Sequence, residues 1–224
     1  MKLRCVELYR VTGWLCLASI LIWLNDLDLV FARWIVGPDN QWPGVNSFPW
    51  NMLYTWASLP GVVLAGGAAL VLLAGFFISA LQRFRKQSLF LVLLLAIGPG
   101  LLVNVLLKDQ LGRARPREVV EFGGAHQFSQ ILQPGTTGEN SSFPSGHASV
   151  AFYLMAPWFI WRSHKKIQAI VSLGGGISFG ILVGLARMLQ GAHFASDVLW
   201  AGGLVYLAGG TLALLLKLDA PQIE

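Results

Sequence analysis

The chain has 224 residues, of which 55% are hydrophobic and only 12% are charged, and its formal net charge is +5. A soluble domain of this length is neither so apolar nor so poor in charge, so the composition excludes an ordinary soluble protein. The two cysteines, Cys5 and Cys16, lie near one end of the chain and indicate no disulfide framework.

Long apolar segments follow one another along most of the sequence. Three of them lack any charged residue over 61–80, 87–107 and 167–186, and helical runs of about 20 residues match the thickness of the hydrocarbon layer of a bilayer. The predicted spans are 6–24, 60–80, 88–107, 148–161, 167–186 and 198–216. The predicted fold class is therefore all-α: a polytopic membrane protein with six transmembrane helices, formed by a single domain over residues 1–224.

The first segment is the weakest of the six. Its uncharged stretch, 11–24, is short and follows Lys2, Arg4 and Arg10, as the apolar core of a signal peptide would. No small-residue cleavage site precedes Asn25, so we expect a retained first span.

The segment 25–51 is rich in tryptophan, a residue that prefers the depth of the lipid headgroups. Trp34, Trp42 and Trp50 predict an interfacial loop or a short helix that anchors the fold. The alternative is that this segment lines the entrance for the lipid.

The positions of the basic residues predict the orientation. With six spans, both termini and the loops 81–87 and 162–166 lie on one side. This side carries most of the basic residues that lie outside the polar motifs: Lys2, Arg4, Arg10, Arg83, Arg85, Lys86, Arg162, Lys165, Lys166 and Lys217. On the opposite side, Arg33 is the only basic residue that neither belongs to a motif nor adjoins one. Because cytoplasmic loops are enriched in Lys and Arg, both termini are expected to be cytoplasmic.

The first polar motif, 108–116, ends the third predicted span. Lys108 closes the span, and Arg115 lies seven residues further on, before Pro116. Two cations at this spacing can bracket a phosphate, or they can form an interfacial cluster that touches lipid headgroups without specificity. The second description suits Arg113 and Arg117.

The second motif, 144–147, precedes the fourth predicted span. Backbone N–H groups at a helix start, beside the hydroxyl of Ser145, form an anion-binding site, and His147 there can protonate a departing oxygen. The alternative is a plain N-cap by Ser145 with His147 as an interfacial polar residue.

The third motif, 187–197, precedes the last span. His193 and Asp197 are four residues apart, so on a helix they share a face. A carboxylate that accepts from one imidazole nitrogen makes the other nitrogen more basic and more nucleophilic, and Arg187 can present its planar guanidinium to two phosphoryl oxygens. The alternative is a helix-capping pair beside an interfacial arginine.

The order and spacing of the three motifs resemble the type 2 phosphatidic acid phosphatase superfamily, in its membrane branch, over about residues 1–216. The residues that carry the resemblance are Lys108, Arg115 and Pro116, then Pro144, Ser145, Gly146 and His147, then Arg187, His193 and Asp197. The chain departs from the family pattern at Ala186, where a serine is common.

The resemblance implies a lipid phosphatase with a phosphohistidine intermediate. It implies that His193 attacks phosphorus, that Asp197 orients it, and that His147 protonates the leaving oxygen. The implied phosphate-binding residues are Lys108, Arg115, Ser145, Gly146 and Arg187. Because three fixed cations can neutralise a phosphoryl group, no metal and no cofactor are expected.

All three motifs are expected on the side opposite the termini, at headgroup level, so the expected substrate is an amphiphilic lipid phosphate. The connector 117–143, with Glu121, Phe122, Gly123, Gly124 and Phe128, resembles the same region of bacterial lipid A phosphatases. The alternative is a loop that packs over the helix ends without touching the substrate. Lipid A is one expected substrate; undecaprenyl pyrophosphate, phosphatidylglycerophosphate and transfer to a second lipid stay open. An anion transporter is disfavoured because transport sites place ionisable residues near mid-span.

The expected location is the inner membrane of a bacterium, with the active site facing the periplasm. The expected partners are the bilayer and a lipid phosphate substrate, with no nucleic acid and no obligate protein partner.

Overall fold

The computed structural model describes residues 2–135, 137 and 141–218, and within these ranges the regular structure is helical. Part of the connector 117–143, at 136 and 138–140, lies outside the described residues, as does the tail 219–224. The α-helices are α1 (Lys2–Leu24), α2 (Leu27–Ile35), α3 (Trp50–Trp56), α4 (Leu59–Ala74), α5 (Ser79–Gln82), α6 (Arg85–Leu95), α7 (Lys108–Leu111), α8 (Gly146–Phe152), α9 (Pro157–Trp161), α10 (Lys166–Leu189) and α11 (Ala195–Leu215). A π-helical stretch, Ala96–Leu107, joins α6 to α7.

Five helical stretches in the described part of the chain are long and apolar enough to cross a membrane. They are Arg4–Leu24, Trp50–Ala74, Arg85–Leu107, Lys166–Leu189 and Ala195–Leu215. The all-α membrane fold predicted from the sequence is therefore confirmed. The remaining predicted span, 148–161, consists of α8, the 3-10 turn Tyr153–Met155 and α9, which follow one another closely. The count of six spans stays a prediction.

The helical stretch that corresponds to the predicted second span, 60–80, has different bounds. It begins ten residues earlier, at Trp50, and ends at Ala74. Pro60 does not mark the start of the span, because proline is tolerated in the first turn of a helix, where its missing N–H has no partner to lose. Gly75 ends α4, and a Cβ there would lie 2.7 Å from Cγ of Arg85, at the start of α6.

α10 packs against α3, α8, α9 and the turn Tyr153–Met155 through glycines. A Cβ on Gly176 would lie 2.3 Å from the backbone nitrogen of Met155, and one on Gly180 would lie 2.2 Å from Cδ1 of Phe152. The two glycines thus let the element 146–161 lie directly on the backbone of α10. Because the two run antiparallel, the start of α8 lies beside the end of α10.

An apolar core joins this pair to α6 and α11. Its fully buried side chains include Phe90 and Leu94 of α6, Phe159 of α9 and Val205 of α11. Close van der Waals packing of such side chains is a main contribution to the association of helices in a membrane. The core aligns the ends of these helices, so the residues that follow α6 and precede α8 and α11 meet at one end of the bundle.

The opposite end of the bundle collects basic residues, as the orientation argument expects. Arg162, after α9, pairs with Glu7 of α1 at 3.1 Å, and the Lys86 ammonium donates to the backbone oxygen of Lys217 at 2.8 Å. The N-terminal helix, the loop after α9 and the end of α11 therefore share one end. The polar motifs occupy the other.

Candidate active site

Main-chain hydrogen bonds connect the three motifs. The backbone nitrogen of Ser145 donates to the backbone oxygen of Asp197 at 3.1 Å, which joins the second motif to the third. The backbone nitrogen of Arg117, directly after the first motif, donates to the oxygen of Gly191 at 3.0 Å, which joins the end of the first motif to the third. The positions of the motifs therefore do not depend on side-chain contacts alone.

A cavity of about 390 Å³ opens where the motifs meet. Its lining residues are Val45, Asn46, Asn51, Tyr54, Lys108, Arg115, Arg117, His147, Arg187, Gln190 and His193. Among these, four are permanent cations, two are imidazoles and none is a carboxylate. A larger cleft of about 1160 Å³, between α4, α6 and α9, contains no motif residue. The smaller cavity is thus the candidate active site.

Five of the eight side chains expected at the site from the sequence line this cavity: Lys108, Arg115, His147, Arg187 and His193. Ser145, Gly146 and Asp197 do not line it and are buried behind it.

His193 lies in the turn between α10 and α11, two residues before α11 begins. Its Nδ1 is 2.7 Å from the backbone oxygen of Ser142 and 3.6 Å from Oδ2 of Asp197. A carbonyl only accepts hydrogen bonds, so Nδ1 carries the proton and Nε2 keeps its lone pair in the neutral ring. The nearest partner of the imidazole is therefore a backbone carbonyl, with the carboxylate just behind it.

The prediction that His193 and Asp197 share a helix face is wrong. Oδ2 of Asp197 accepts from the backbone nitrogen of Phe194 at 2.7 Å, which caps α11 and starts the helix at Ala195. The sequence spacing satisfies helix capping as well as an i,i+4 pair, and capping determines where the helix begins.

Burial lowers the pKa of His193, although hydrogen bonding and attraction to Asp197 oppose the effect. The side chain is 4% exposed. The imidazole is therefore neutral at pH 7 and has a free nitrogen to offer an electrophile.

His147 begins α8 and stands beside several cations. Burial lowers its pKa to about 4, and the positive charges of Arg187, Lys108 and Arg115 contribute to the same shift. The ring of Tyr54 lies 4.9 Å from the imidazole, and the Arg187 guanidinium lies 4.4 Å from the centre of the tyrosine ring. The negative charge of a bound anion would offset these cations and raise the pKa of His147 toward the ordinary value of a histidine.

Gln190, directly after the end of α10, holds the guanidinium of Arg187. Its Nη1 donates to Oε1 of Gln190 at 2.5 Å, and Nε2 of Gln190 donates to the backbone oxygen of Trp50 at 3.4 Å. α3 therefore contributes both Tyr54 and a support for Gln190. The segment 25–51 is expected from the sequence to anchor the fold or to line the entrance for the lipid, and its residues Asn46 and Asn51 line the cavity.

Ser145 is the N-cap of α8, which is the alternative role predicted for it from the sequence. It is fully buried, and its hydroxyl accepts from the backbone nitrogen of Ala148 at 3.4 Å. Gly146 is restricted by its surroundings, since a Cβ there would lie 2.6 Å from Oδ1 of Asn104. Both residues are therefore buried directly before His147, which lines the cavity.

The prediction that Arg113 belongs to a headgroup-facing cluster is wrong. Arg113 is 1% exposed and pairs with Asp197 at 2.5 Å and with Asp28 at 2.8 Å. Although burial disfavours its charge, these carboxylates hold the pKa of Arg113 above its ordinary value. A signal was present in the sequence, because Asp28 lies between two leucines and a buried carboxylate requires a partner.

Arg117, expected in the same cluster, is exposed and lies at the rim of the cavity, and its contact with lipid headgroups stays a prediction. In the part of the chain that the structure describes, no group of three or more His, Cys, Asp or Glu side chains is arranged to hold a metal ion. Metal independence stays a prediction.

Comparison with known proteins places this site in context. A sequence profile described as the PAP2 superfamily matches residues 87–220, which contain all three motifs. The lipid A 4'-phosphatase of Francisella tularensis subsp. novicida is 39% identical over 149 residues, covering 62% of this chain and 63% of that protein. The lipid A 4'-phosphatase of Rhizobium leguminosarum is 37% identical over 130 residues, covering 57% of this chain and 54% of that protein.

Phosphatidylglycerophosphatase B of Bacillus subtilis is 30% identical over 149 residues, covering 63% of this chain and 59% of that protein. The chain thus spans less than two thirds of the length of these curated relatives. A crystal structure of a transmembrane PAP2-type phosphatidylglycerolphosphate phosphatase from Bacillus subtilis superimposes with a TM-score of 0.56 at 21% identity, covering 94% of both chains. This likeness shows a shared fold.

Proposed function

This chain belongs to the PAP2 superfamily, and from this membership we propose that it hydrolyses a phosphate monoester on a membrane lipid. The observation that carries the proposal is the cavity itself. Two imidazoles that are neutral at pH 7 face four cations in one space of about 390 Å³. Such a space binds a tetrahedral dianion and has a base and an acid available for its reaction.

His193 is the proposed nucleophile. With Nδ1–H donated to the Ser142 carbonyl at 2.7 Å, the Nε2 lone pair attacks phosphorus and the bond from phosphorus to the lipid oxygen breaks. The phosphohistidine that forms carries positive charge on its ring. The carboxylate of Asp197, 3.6 Å from Nδ1, stabilises this charge.

His147 is the proposed acid and base. It gives its proton to the departing lipid oxygen, then takes a proton from the water that attacks the phosphohistidine, and inorganic phosphate leaves. Burial, together with the neighbouring cations, lowers the pKa of His147 to about 4. Entry of a phosphate dianion offsets these charges, so the substrate itself makes His147 a competent acid.

The cations Lys108, Arg115 and Arg187 are the proposed phosphate-binding side chains, since all three line the cavity. Neutralising the phosphoryl oxygens and fixing the phosphate in line with the nucleophile are the main requirements of phosphoryl transfer. The backbone N–H of Gly146 and the Ser145 cap at the start of α8 add to the positive potential there.

The proposed substrate is lipid A or a related phosphorylated glycolipid. This choice is supported by the relatives named lipid A 4'-phosphatase, at 39% and 37% identity, and by the resemblance of the connector 117–143. The relative named phosphatidylglycerophosphatase B supports phosphatidylglycerophosphate as the second candidate. Undecaprenyl pyrophosphate, and transfer of the phosphoryl group to another lipid in place of water, use the same residues.

The proposed location is the inner membrane of a bacterium, with six spans, both termini in the cytoplasm and the site toward the periplasm. The separation of the basic end of the bundle from the motif end supports this orientation.

The test is phosphate release by the purified protein in detergent from a panel of lipid A, phosphatidylglycerophosphate and undecaprenyl pyrophosphate, with and without EDTA. We expect release from at least one lipid, no loss of activity in EDTA, and loss of activity in His193→Ala. Uptake of radiolabelled phosphate into proteoliposomes, with no release from any lipid, would favour an anion transporter and contradict the proposal. Loss of activity in EDTA would contradict the metal-free mechanism only.

A further inference from the structure

A carboxylate outside the region matched by the family profile is built into the site. Asp28 lies on α2, near the N-terminal end of the chain, and its side chain is fully buried. The profile begins at residue 87. Burial of an unpaired carboxylate is strongly unfavourable, so its partners determine what it does.

Every described partner of Asp28 belongs to the first or the third motif. Oδ2 accepts from Nη2 of Arg113 at 2.8 Å and from Oγ of Ser196 at 2.5 Å, and Oδ1 accepts from the backbone nitrogen of Ser196 at 2.9 Å. Asp28 therefore fixes the guanidinium from one side and the first turn of α11 from another.

Arg113 passes this restraint to the imidazole of His193 by two routes. Its Nη1 donates to Oδ1 of Asp197 at 2.5 Å, and the other oxygen of that carboxylate lies 3.6 Å from the imidazole. Its backbone oxygen accepts from the nitrogen of Ser142 at 2.8 Å, and the oxygen of Ser142 is the nearest partner of Nδ1. Arg113 thus holds both groups that lie next to Nδ1 of His193, the Asp197 carboxylate and the Ser142 carbonyl.

We propose that Asp28 is a positioning residue of the active site, which acts through Arg113 to set the orientation and the net negative charge of the group beside His193. The inference rests on the proposed function, since it assigns Asp28 a part in preparing His193 for attack on phosphorus.

The charges indicate the direction of the effect. Asp28, Arg113 and Asp197 together carry one net negative charge, and this charge favours the protonated form of His193. The other charged or titratable groups that act on His193 oppose protonation: Arg187, Lys108 and His147. A neutral residue in place of Asp28 leaves the buried group with no net charge, so the proton affinity and the nucleophilicity of His193 fall together.

The experiment compares Asp28→Asn with Asp26→Asn over pH 4 to 9, using a lipid phosphate that the wild type hydrolyses. Asp26 is an exposed carboxylate on the same segment, bonded to Gln130, and serves as the matched control. For Asp28→Asn we expect kcat to fall by about tenfold or more, KM to stay within about twofold, and the acid limb of kcat/KM to move to lower pH by about half a unit or more. Asp26→Asn should match the wild type.

The shift of the acid limb separates a role in the site from a loss of folded protein, because misfolding lowers kcat without moving the limb. If Asp28→Asn does not accumulate, Arg113→Lys provides the second measurement. A single ammonium cannot bridge two carboxylates as the guanidinium fork does, so its kcat should fall with KM preserved.

Wild-type kcat and an unmoved limb in Asp28→Asn, or wild-type kcat in Arg113→Lys, would overturn the inference. Activity that survives His193→Ala would instead overturn the proposed function. The two failures are therefore distinguishable.

Discussion

The charge of Asp197 is expected to account for most of the reactivity of His193, and Asp197→Asn tests this expectation. The substitution keeps the size of the side chain and an oxygen for the cap of α11, and removes the charge 3.6 Å from Nδ1. In an effective dielectric of about 20, two unit charges at that distance attract each other by about 4.6 kcal/mol, which corresponds to roughly three powers of ten in rate.

That figure is an upper limit, because Arg113 pairs with the same carboxylate at 2.5 Å and offsets part of its field. We therefore expect kcat to fall by roughly 100- to 1000-fold in Asp197→Asn. KM should stay within about threefold, since Asp197 is buried behind the cavity and has no contact with a bound phosphate.

The assay is the steady-state release of phosphate from a lipid phosphate in detergent, together with the yield of phosphohistidine trapped by acid quench. Glu121→Gln, which neutralises an exposed carboxylate of the connector 117–143, is the control and should retain wild-type kcat. If Asp197→Asn kept more than a tenth of wild-type kcat, the imidazole would not depend on this charge, and the electrostatic account of His193 would be refuted.

Three further predictions concern the cavity and the packing around α10. Burial and the neighbouring cations lower the pKa of His147 to about 4, and a bound phosphate should raise it, so binding should take up a proton and inhibition by inorganic phosphate should weaken as pH rises from 5 to 7. The same series with His147→Gln should lack this part of the dependence, and parallel curves would contradict the coupling. Arg117→Gln should raise KM by about threefold or more at low salt and leave kcat unchanged, because the guanidinium lies at the exposed rim; an unchanged KM would exclude Arg117 from substrate binding. Gly176→Ala should lower the melting temperature in detergent, since its Cβ would approach Met155 to 2.3 Å, at a cost of roughly 1–3 kcal/mol. Gly174→Ala, with nothing within 4 Å of its Cβ, should not lower it, and equal melting temperatures for the two variants would contradict the packing argument.

The sequence predicted which segments meet but not all of the contacts they make. Hydropathy and motif spacing were enough to place Lys108, Arg115, His147, Arg187 and His193 at one end of an all-α bundle, because each follows or precedes an apolar helix. Contacts between residues far apart in sequence were not predictable in this way. Asp28 and Arg113 are 85 positions apart, and only the folded chain brings them together.

Two further differences between prediction and structure concern the position of His193 and the bounds of the second span. The spacing from His193 to Asp197 satisfies both an i,i+4 helical pair and the cap of a helix, and the backbone nitrogen of Phe194 determines which of the two forms. Hydropathy placed the second span at 60–80 because α3 contains polar residues. Among these, Asn51 and Tyr54 line the cavity, so the polarity that concealed the helix reflects its position in the site.

The close contact of α10 with the element 146–161 has a mechanical consequence. Arg187 is in the last turn of α10 and His147 is in the first turn of α8, and the two helices touch backbone to side chain at Gly180. When a bilayer of different thickness changes the tilt of α10, we therefore expect the Arg187 guanidinium and the His147 imidazole to move together. Turnover in reconstituted vesicles should then vary gradually with acyl-chain length, without the abrupt collapse expected if each helix tilted alone.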